Sequence, residues 1–240
     1  MFAAVALLIP SREAEKAQIM KSESARGAGS AATALPPSAQ DVHEVSHSAS
    51  DGARTLLDDA GIRRALVRIA HEIVERVAEP SRLYLVAIPN GGIPLARQLA
   101  QNLREVADLV VPVGVLDTTL YRDDLLTTGE RPALRRTEMP SAVDDHVVVL
   151  VDDVVKTGRT IRAAMDALMD FGRPKAVQVV GLVDRGHREL PIKLDYVGKN
   201  VPTHPDEEVR LQAQAGGPAD ALEVIVVSRA PARAAAGGEG

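Results

Sequence analysis

The run Val147-Val-Val-Leu-Val-Asp-Asp-Val-Val-Lys-Thr-Gly-Arg-Thr160 constrains the fold of this chain more than any other segment. Val147 to Val151 are apolar without alternation, which predicts a strand covered on both faces, and such strands belong to parallel sheets flanked by helices. Asp152 and Asp153 follow at the carboxyl end of the strand, where open α/β sheets bind their ligands. Thr157-Gly158-Arg159-Thr160 then predicts a turn into a helix. Glycine allows close backbone approach, the threonine hydroxyls can donate, and the unpaired N–H groups of a helix start favour an anion.

Two carboxylates beside an anion cradle repel a bare polyphosphate and suit a ligand that carries hydroxyls as well as phosphate. A ribose 5-phosphate meets both conditions: the acids accept from the 2- and 3-hydroxyls while residues 157–160 hold the phosphate. The structural alternative is an ordinary strand–turn–helix in which Asp152 or Asp153 caps the helix. The run as a whole, through Asp152, Asp153, Val154, Val155, Lys156, Thr157, Gly158, Arg159 and Thr160, resembles the phosphoribosyl pyrophosphate (PRPP) motif of type I phosphoribosyltransferases.

Other segments repeat the strand–loop–helix plan. Leu57 to Val77 predicts a helix capped by Asp58 or Asp59, with Ile62, Leu66, Ile69, Ile73 and Val77 on its apolar side. Arg64, Arg68 and His71 share another face, with Glu75 one turn on, which suits either a solvated surface or a polyanion site. Leu83 to Ile88 reads as a buried strand, and Pro89-Asn-Gly-Gly92 leads to an amphipathic helix from about Ile93 to Leu103. The amides of Asn90, Gly91 and Gly92 suit a pyrophosphate, although such loops are also plain turns. A third strand is expected around Leu109 to Leu116. The segment that follows, Asp117 to Asp124 and then Leu125 to Pro140, has no clear period in its second part and reads as an active-site flap or an idle surface loop. Ile161 to Phe171 predicts a helix ended by Gly172 and Pro174, and Ala176 to Val183 another buried strand. Beyond it, Arg185, His187 and Arg188 form a basic cluster, which a purely structural reading pairs with Glu189 and neighbouring acids.

Composition bounds the class. The chain has 240 residues, enough for one domain with tails or two small ones, and its 45% hydrophobic but 2% aromatic content requires an aliphatic core. It lacks cysteine, which excludes disulfides, thiolate zinc sites and thiol nucleophiles. A formal charge of −5 argues against a generally basic coat for nucleic acid while leaving room for a local basic face. Residues 1–54 are small, polar and proline-containing and are expected to be a disordered extension; 230–240 are expected to be a disordered tail, leaving 55–229 as the folded domain. Phe2 to Ile9 is short for a membrane span and lacks a basic preceding region, so a signal peptide is the lesser alternative and Met20 a candidate later start. The expectation is a cytoplasmic protein without a membrane partner.

Several segments together make the resemblance specific. They are Ile62-Arg-Arg-Ala-Leu66 with Arg68-Ile-Ala-His71, Thr119 to Leu125, the PRPP run, Gly172-Arg-Pro174, Asp184 to Ile192 and Asp195 to Thr203. Over roughly residues 57–228 the chain resembles the PyrR family, pyrimidine-operon attenuation regulators that are also uracil phosphoribosyltransferases. The resemblance implies a type I phosphoribosyltransferase fold: α/β, with a central mainly parallel sheet flanked by helices, a flexible flap and a small hood. It implies UMP formation from uracil and PRPP with Mg²⁺ carried by PRPP and no assigned protein ligand, and UMP- or UTP-dependent binding to leader mRNA by a homodimer or higher homo-oligomer. By matching positions, Asp152 and Asp153 hold the ribose, 152–160 bind PRPP, and Asn90, Gly91 and Gly92 form the pyrophosphate loop. Arg122 on the flap meets the pyrophosphate, the backbone after Leu182 and Val183 reads uracil, and Arg68, His71 and Arg188 contact RNA.

This sequence departs from the family pattern at four places. Val67 replaces a usual Thr on the RNA-binding helix, and His204-Pro-Asp206 replaces Ser-Arg-Ser, removing an arginine and adding an acid. Gly91 replaces the usual Arg of the pyrophosphate loop, and Lys156 replaces an aromatic or apolar residue. The readings that remain are an RNA-binding regulator with enzyme activity and an enzyme whose RNA regulation is lost or altered; a hypoxanthine- or xanthine-type enzyme leaves the segments after residue 184 unexplained.

Overall fold

The computed structural model describes residues 53–89, 91–123, 136–204 and 206–228. Asn90, most of the flap segment, the signal-peptide alternative, Met20 and nearly all of the residues expected to be disordered lie outside these. A strand that the sequence reading did not predict precedes the first helix. Arg54–Leu57 forms strand β1, paired antiparallel with β8 (Leu222–Ser228), so its partner lies at the far end of the chain and leaves no local signal.

Helix α1 (Asp59–Arg76) is capped by Asp58, whose carboxylate accepts from Gly61 N at 2.8 Å. Asp59 instead pairs with Arg63 at 2.7 Å and accepts from Leu222 N at 3.2 Å, tying the helix start to β8. β2 (Leu83–Ala87) leads to α2 (Gly92–Ala107), longer than expected because Arg104 to Ala107 continue as helix formers until Asp108 adopts a left-handed φ of 54°. β3 is confined to Val113–Val115.

β4 runs Val147–Val155, beyond the apolar run, so Asp152 and Asp153 lie within the last part of the strand rather than after it. Pairing explains the extension: Asp152 aligns with Gly181, Val154 with Val183 and Val155 with Asp184 of β5 (Ala176–Asp184). Between them, α3 (Arg159–Leu168) gives way to a 3₁₀ turn at Met169–Phe171 that ends at Gly172. β6 (Tyr196–Asn200) completes a sheet of order β3-β2-β4-β5-β6 in which every pair is parallel.

Alternate residues of β2 and β4 feed two cores. Leu83, Leu85, Val149 and Val151 pack with α1 and α2 residues such as Ile69, Leu95 and Leu99, whereas Tyr84, Val86, Val148 and Leu150 pack with Ile161, Ala164 and Leu168 of α3. Both faces of the sheet are therefore covered, as its unbroken apolar strands require. A second, antiparallel sheet of order β1-β8-β7, with β7 at Glu207–Ala213, corresponds to the small hood. Among the described residues no helix is long and apolar enough to cross a membrane.

Candidate active site

The carboxyl ends of β4 and β5 converge with the start of α2, residues 117–123 and the loop after β5. Asp152 is buried, and its Oδ1 accepts from Asp153 N at 3.0 Å. Burial pushes the Asp152 carboxyl well above the usual aspartate range and the adjacent Asp153 pushes it further, against the charge of Arg122. Burial also raises Asp153, whose hydrogen bonds oppose the shift. The two acids titrate as a pair, because neither can ionise without feeling the other. This excess of buried negative charge fits a group that brings donors or a cation: ribose hydroxyls, or a divalent ion bound with them.

The strand then turns at Thr157 and Gly158. Gly158 has φ 91°, a left-handed conformation that glycine adopts without cost, and it starts α3. Arg159 N bonds Thr157 Oγ1 at 3.3 Å, and Arg122 Nη1 donates to Thr160 Oγ1 at 3.2 Å. Arg122 thus acts electrostatically on Asp152 and reaches the turn directly. The Lys156 carbonyl accepts from Arg188 Nη1 at 2.7 Å.

Gly91 and Gly92 allow the start of α2 to lie on the end of β4. Gly91 has helical φ −70° and ψ −25°, so its backbone makes no demand for glycine. Packing makes the demand: a Cβ there would overlap the Asp153 Cβ, Cγ and Oδ2, and one on Gly92 would overlap the Val151 carbonyl oxygen. The missing side chain at 91 is therefore the space that the Asp153 carboxylate occupies.

The loop after β5 is closed by hydrogen bonds. Leu182 and Val183 are fully buried in the core, so only the strand end beyond them faces the site. Asp184 accepts from Gly186 N at 2.9 Å and from Arg188 Nη2 at 2.8 Å. Arg185 is buried, donating to Thr203 Oγ1 at 3.0 Å and to the Glu207 carbonyl. His187 takes a left-handed φ of 58° and bonds the Thr203 carbonyl through Nε2 at 2.8 Å. Arg188 also donates to the Ile192 carbonyl at 3.0 Å.

Two residues that the resemblance assigns to RNA also make contacts within the chain. Arg188 donates to Asp184 and to the carbonyls of Lys156 and Ile192, pairing within its own loop. Arg68 pairs with Glu72 at 2.6 Å and donates to the Val197 and Gly198 carbonyls at 2.9 and 2.8 Å, stitching α1 to β6. His71 and Arg64 remain exposed on the outer face of α1. The site therefore gathers Asp152, Asp153, 157–160, Gly91, Gly92 and Arg122, and leaves the α1 face elsewhere. Among the neighbouring acids offered to the basic cluster, Arg188 takes Asp184 while Glu189 pairs with Arg159; Thr203, the partner of Arg185 and His187, has no local signal.

The phosphoribosyl transferase domain family matches residues 52–214. The chain is 57% identical over 159 residues to the bifunctional protein PyrR of Pelotomaculum thermopropionicum, an alignment spanning 66% of this chain and 88% of that protein. It is 51% identical over 171 residues to the bifunctional protein PyrR of Deinococcus radiodurans, spanning 71% and 93%. Among solved structures, a hypoxanthine-guanine phosphoribosyltransferase from Bacillus anthracis superposes with a TM-score of 0.52 at 19% identity, covering 64% of this chain and 86% of that one. The Trypanosoma cruzi hypoxanthine phosphoribosyltransferase in complex with IMP gives 0.51 at 22% identity, covering 64% and 83%. At these identities the structural likeness speaks for the fold alone.

Proposed function

We infer, for a chain that belongs to the phosphoribosyl transferase domain family and within it to the PyrR proteins, that it makes UMP and pyrophosphate from uracil and PRPP and regulates a pyrimidine operon by UMP- or UTP-dependent binding to leader RNA. One observation carries the catalytic half: an acid pair, Asp152 buried and Asp153 half-buried, stands on the strand that runs directly into the Thr157–Thr160 turn, with Arg122 reaching that turn.

Uracil N1 bonds to the anomeric carbon as the bond to pyrophosphate breaks; the leaving group takes the electron pair, and the N1 proton passes to it or to water. Positive charge develops on the ribose in that step. Asp152 and Asp153 hold the ribose hydroxyls and face that charge, which their burial makes effective. Residues 157–160 carry the 5-phosphate on turn amides and hydroxyls, and Gly91 and Gly92 receive the pyrophosphate, with Asn90 beside them. Arg122 closes over the pyrophosphate and excludes water. Mg²⁺ brought in with PRPP would supply positive charge beside the pyrophosphate, and Asp152 and Asp153 are the acidic residues that would hold it or the ribose hydroxyls. The backbone beyond Leu182 and Val183, held by Arg185, His187 and Arg188, reads the edge of uracil.

RNA binding draws on the outer face of α1, where Arg64 and His71 are exposed and Arg68 fixes the helix to β6. A second copy of the chain extends that surface, and the work on mRNA and nucleotides is cytoplasmic. A second reading, enzyme activity with RNA regulation altered, is favoured by the inward turn of Arg188 and by the exposed His204–Asp206 pair at 3.2 Å. Titrating a matched leader RNA with and without UMP, while measuring UMP formation, separates the two. Turnover without UMP-enhanced RNA binding sinks the regulatory half; UMP-dependent binding without turnover sinks the enzymatic half.

A further inference from the structure

Arg159 belongs to the phosphate turn, yet its side chain is drawn along the surface of the site. Its Nε donates to Glu189 Oε2 at 2.7 Å and its Nη1 to Asp123 Oδ2 at 2.8 Å. Arg162 adds a contact to the same Asp123 oxygen at 3.3 Å and is itself held by Asp166 at 3.0 Å. Three segments meet at this guanidinium: the loop after β5, the start of α3 and residues 117–123. The first two are also joined by backbone, since Glu189 N and Leu190 N both donate to the Thr157 carbonyl, at 3.0 and 3.2 Å. The third lies along α3, with Tyr121 OH donating to Asp170 and Arg122 Nη1 to Thr160 Oγ1. Arg159 is thus a direct side-chain path from the base side of the site to the residue next to Arg122.

We propose that Arg159 is a positioning residue that couples the base-side loop to Arg122, through Glu189 on one side and Asp123 on the other. The proposal rests on the PRPP reading of the site. A planar guanidinium suits the task, because it binds two carboxylates at fixed angles where an ammonium offers one point charge. Separate half-exposed ion pairs of this kind contribute little to stability, so a purely decorative role predicts small and additive effects. Coupling predicts the opposite: loss at either end should be felt at both substrates.

A double-mutant cycle on Asp123→Asn and Glu189→Gln tests this, reading KM for PRPP, KM for uracil and thermal midpoint. The expected result is a roughly threefold to tenfold rise in PRPP KM in each single variant, including Glu189→Gln on the base side, with the double variant no worse than the worse single and the midpoint nearly unchanged. Additive losses, with Glu189→Gln confined to uracil, overturn the coupling. Arg159→Lys keeps the charge but loses the fork and should behave like the double variant; wild-type kinetics in that variant also overturn it. Should the wild-type protein make no UMP, the functional reading fails and hydrogen exchange decides the coupling separately. Faster exchange at residues 117–123 in both Arg159→Lys and Glu189→Gln supports it, and unchanged exchange in either overturns it.

Discussion

On the base side of the β4 end, residues 184–188 satisfy one another: Asp184 takes Gly186 N and Arg188, Arg185 takes Thr203 and the Glu207 carbonyl, and His187 takes the Thr203 carbonyl. On the ribose side, a buried Asp152 and a half-buried Asp153 sit beside each other, and both carboxyls are pushed upward. Residues on one side are held in place before any ligand arrives, whereas those on the other hold an electrostatic penalty that a ligand relieves. The difference matches the two tasks. A small neutral base is told apart by fixed dipoles at short range, while an oxocarbenium-like ribose with its pyrophosphate is stabilised by charge that solvent cannot reorganise.

The largest test of this contrast is Asp152→Asn. It should lower turnover by about a hundredfold or more, as loss of a preorganised charge at a developing cation does. It should also stabilise the ligand-free protein at neutral pH. A carboxyl raised in the folded state contributes stability below its ordinary value of 3.8 and loses it as pH rises through the raised value, so removing it helps where the wild type is charged. Urea unfolding at pH 4 and pH 7.5 reads the difference: the advantage of the variant should grow with pH. A variant less stable at neutral pH means that the acids were not under strain.

Arg188→Ala tests the other side. It removes donors from the Lys156 and Ile192 carbonyls and strands Asp184, at a cost of about 2–3 kcal/mol in stability for a part-buried, charge-assisted set. Uracil KM should rise with it. Weakened RNA binding alone, with stability and uracil KM intact, would return Arg188 to the RNA surface and break the comparison.

Gly91→Ala brings the contrast to one contact. The backbone there is already helical, so alanine adds no strain of its own; its Cβ must displace Asp153. PRPP KM should rise on the order of tenfold, as small misplacements of a reacting group do, with uracil KM unchanged. Equal loss for both substrates would mean that the whole strand end had moved.

How much of this could be read from sequence depended on distance along the chain. The strands that begin at Leu83, Val147 and Ala176 declare themselves by their apolar runs, and the acids with their turn by adjacency. β1 does not, since Arg54 to Leu57 become a strand only through Val224 to Val226. The vacancy at Gly91 looks in sequence like a lost cation and proves to be room for Asp153, a relation that needs β4 and α2 side by side. The internal pairing of Arg188 is hidden for the same reason: its loop depends on the left-handed His187 and on Thr203, neither of which the basic cluster announces.

The smallest effect on the site itself should come from outside both sides. Arg64 on the exposed face of α1 touches neither the acids nor the base-side loop, so Arg64→Ala should leave turnover within about twofold, as surface changes generally do. If that face meets phosphates, leader-RNA affinity should fall and its dependence on salt should weaken by about one counterion per binding event. Arg68→Ala offers the control, because it also cuts the stitch to Val197 and Gly198 and should lower the thermal midpoint where Arg64→Ala does not. An Arg64 variant with unchanged RNA affinity and salt slope would remove the helix face from the RNA surface, and with it the separation of regulation from the two halves of the catalytic site.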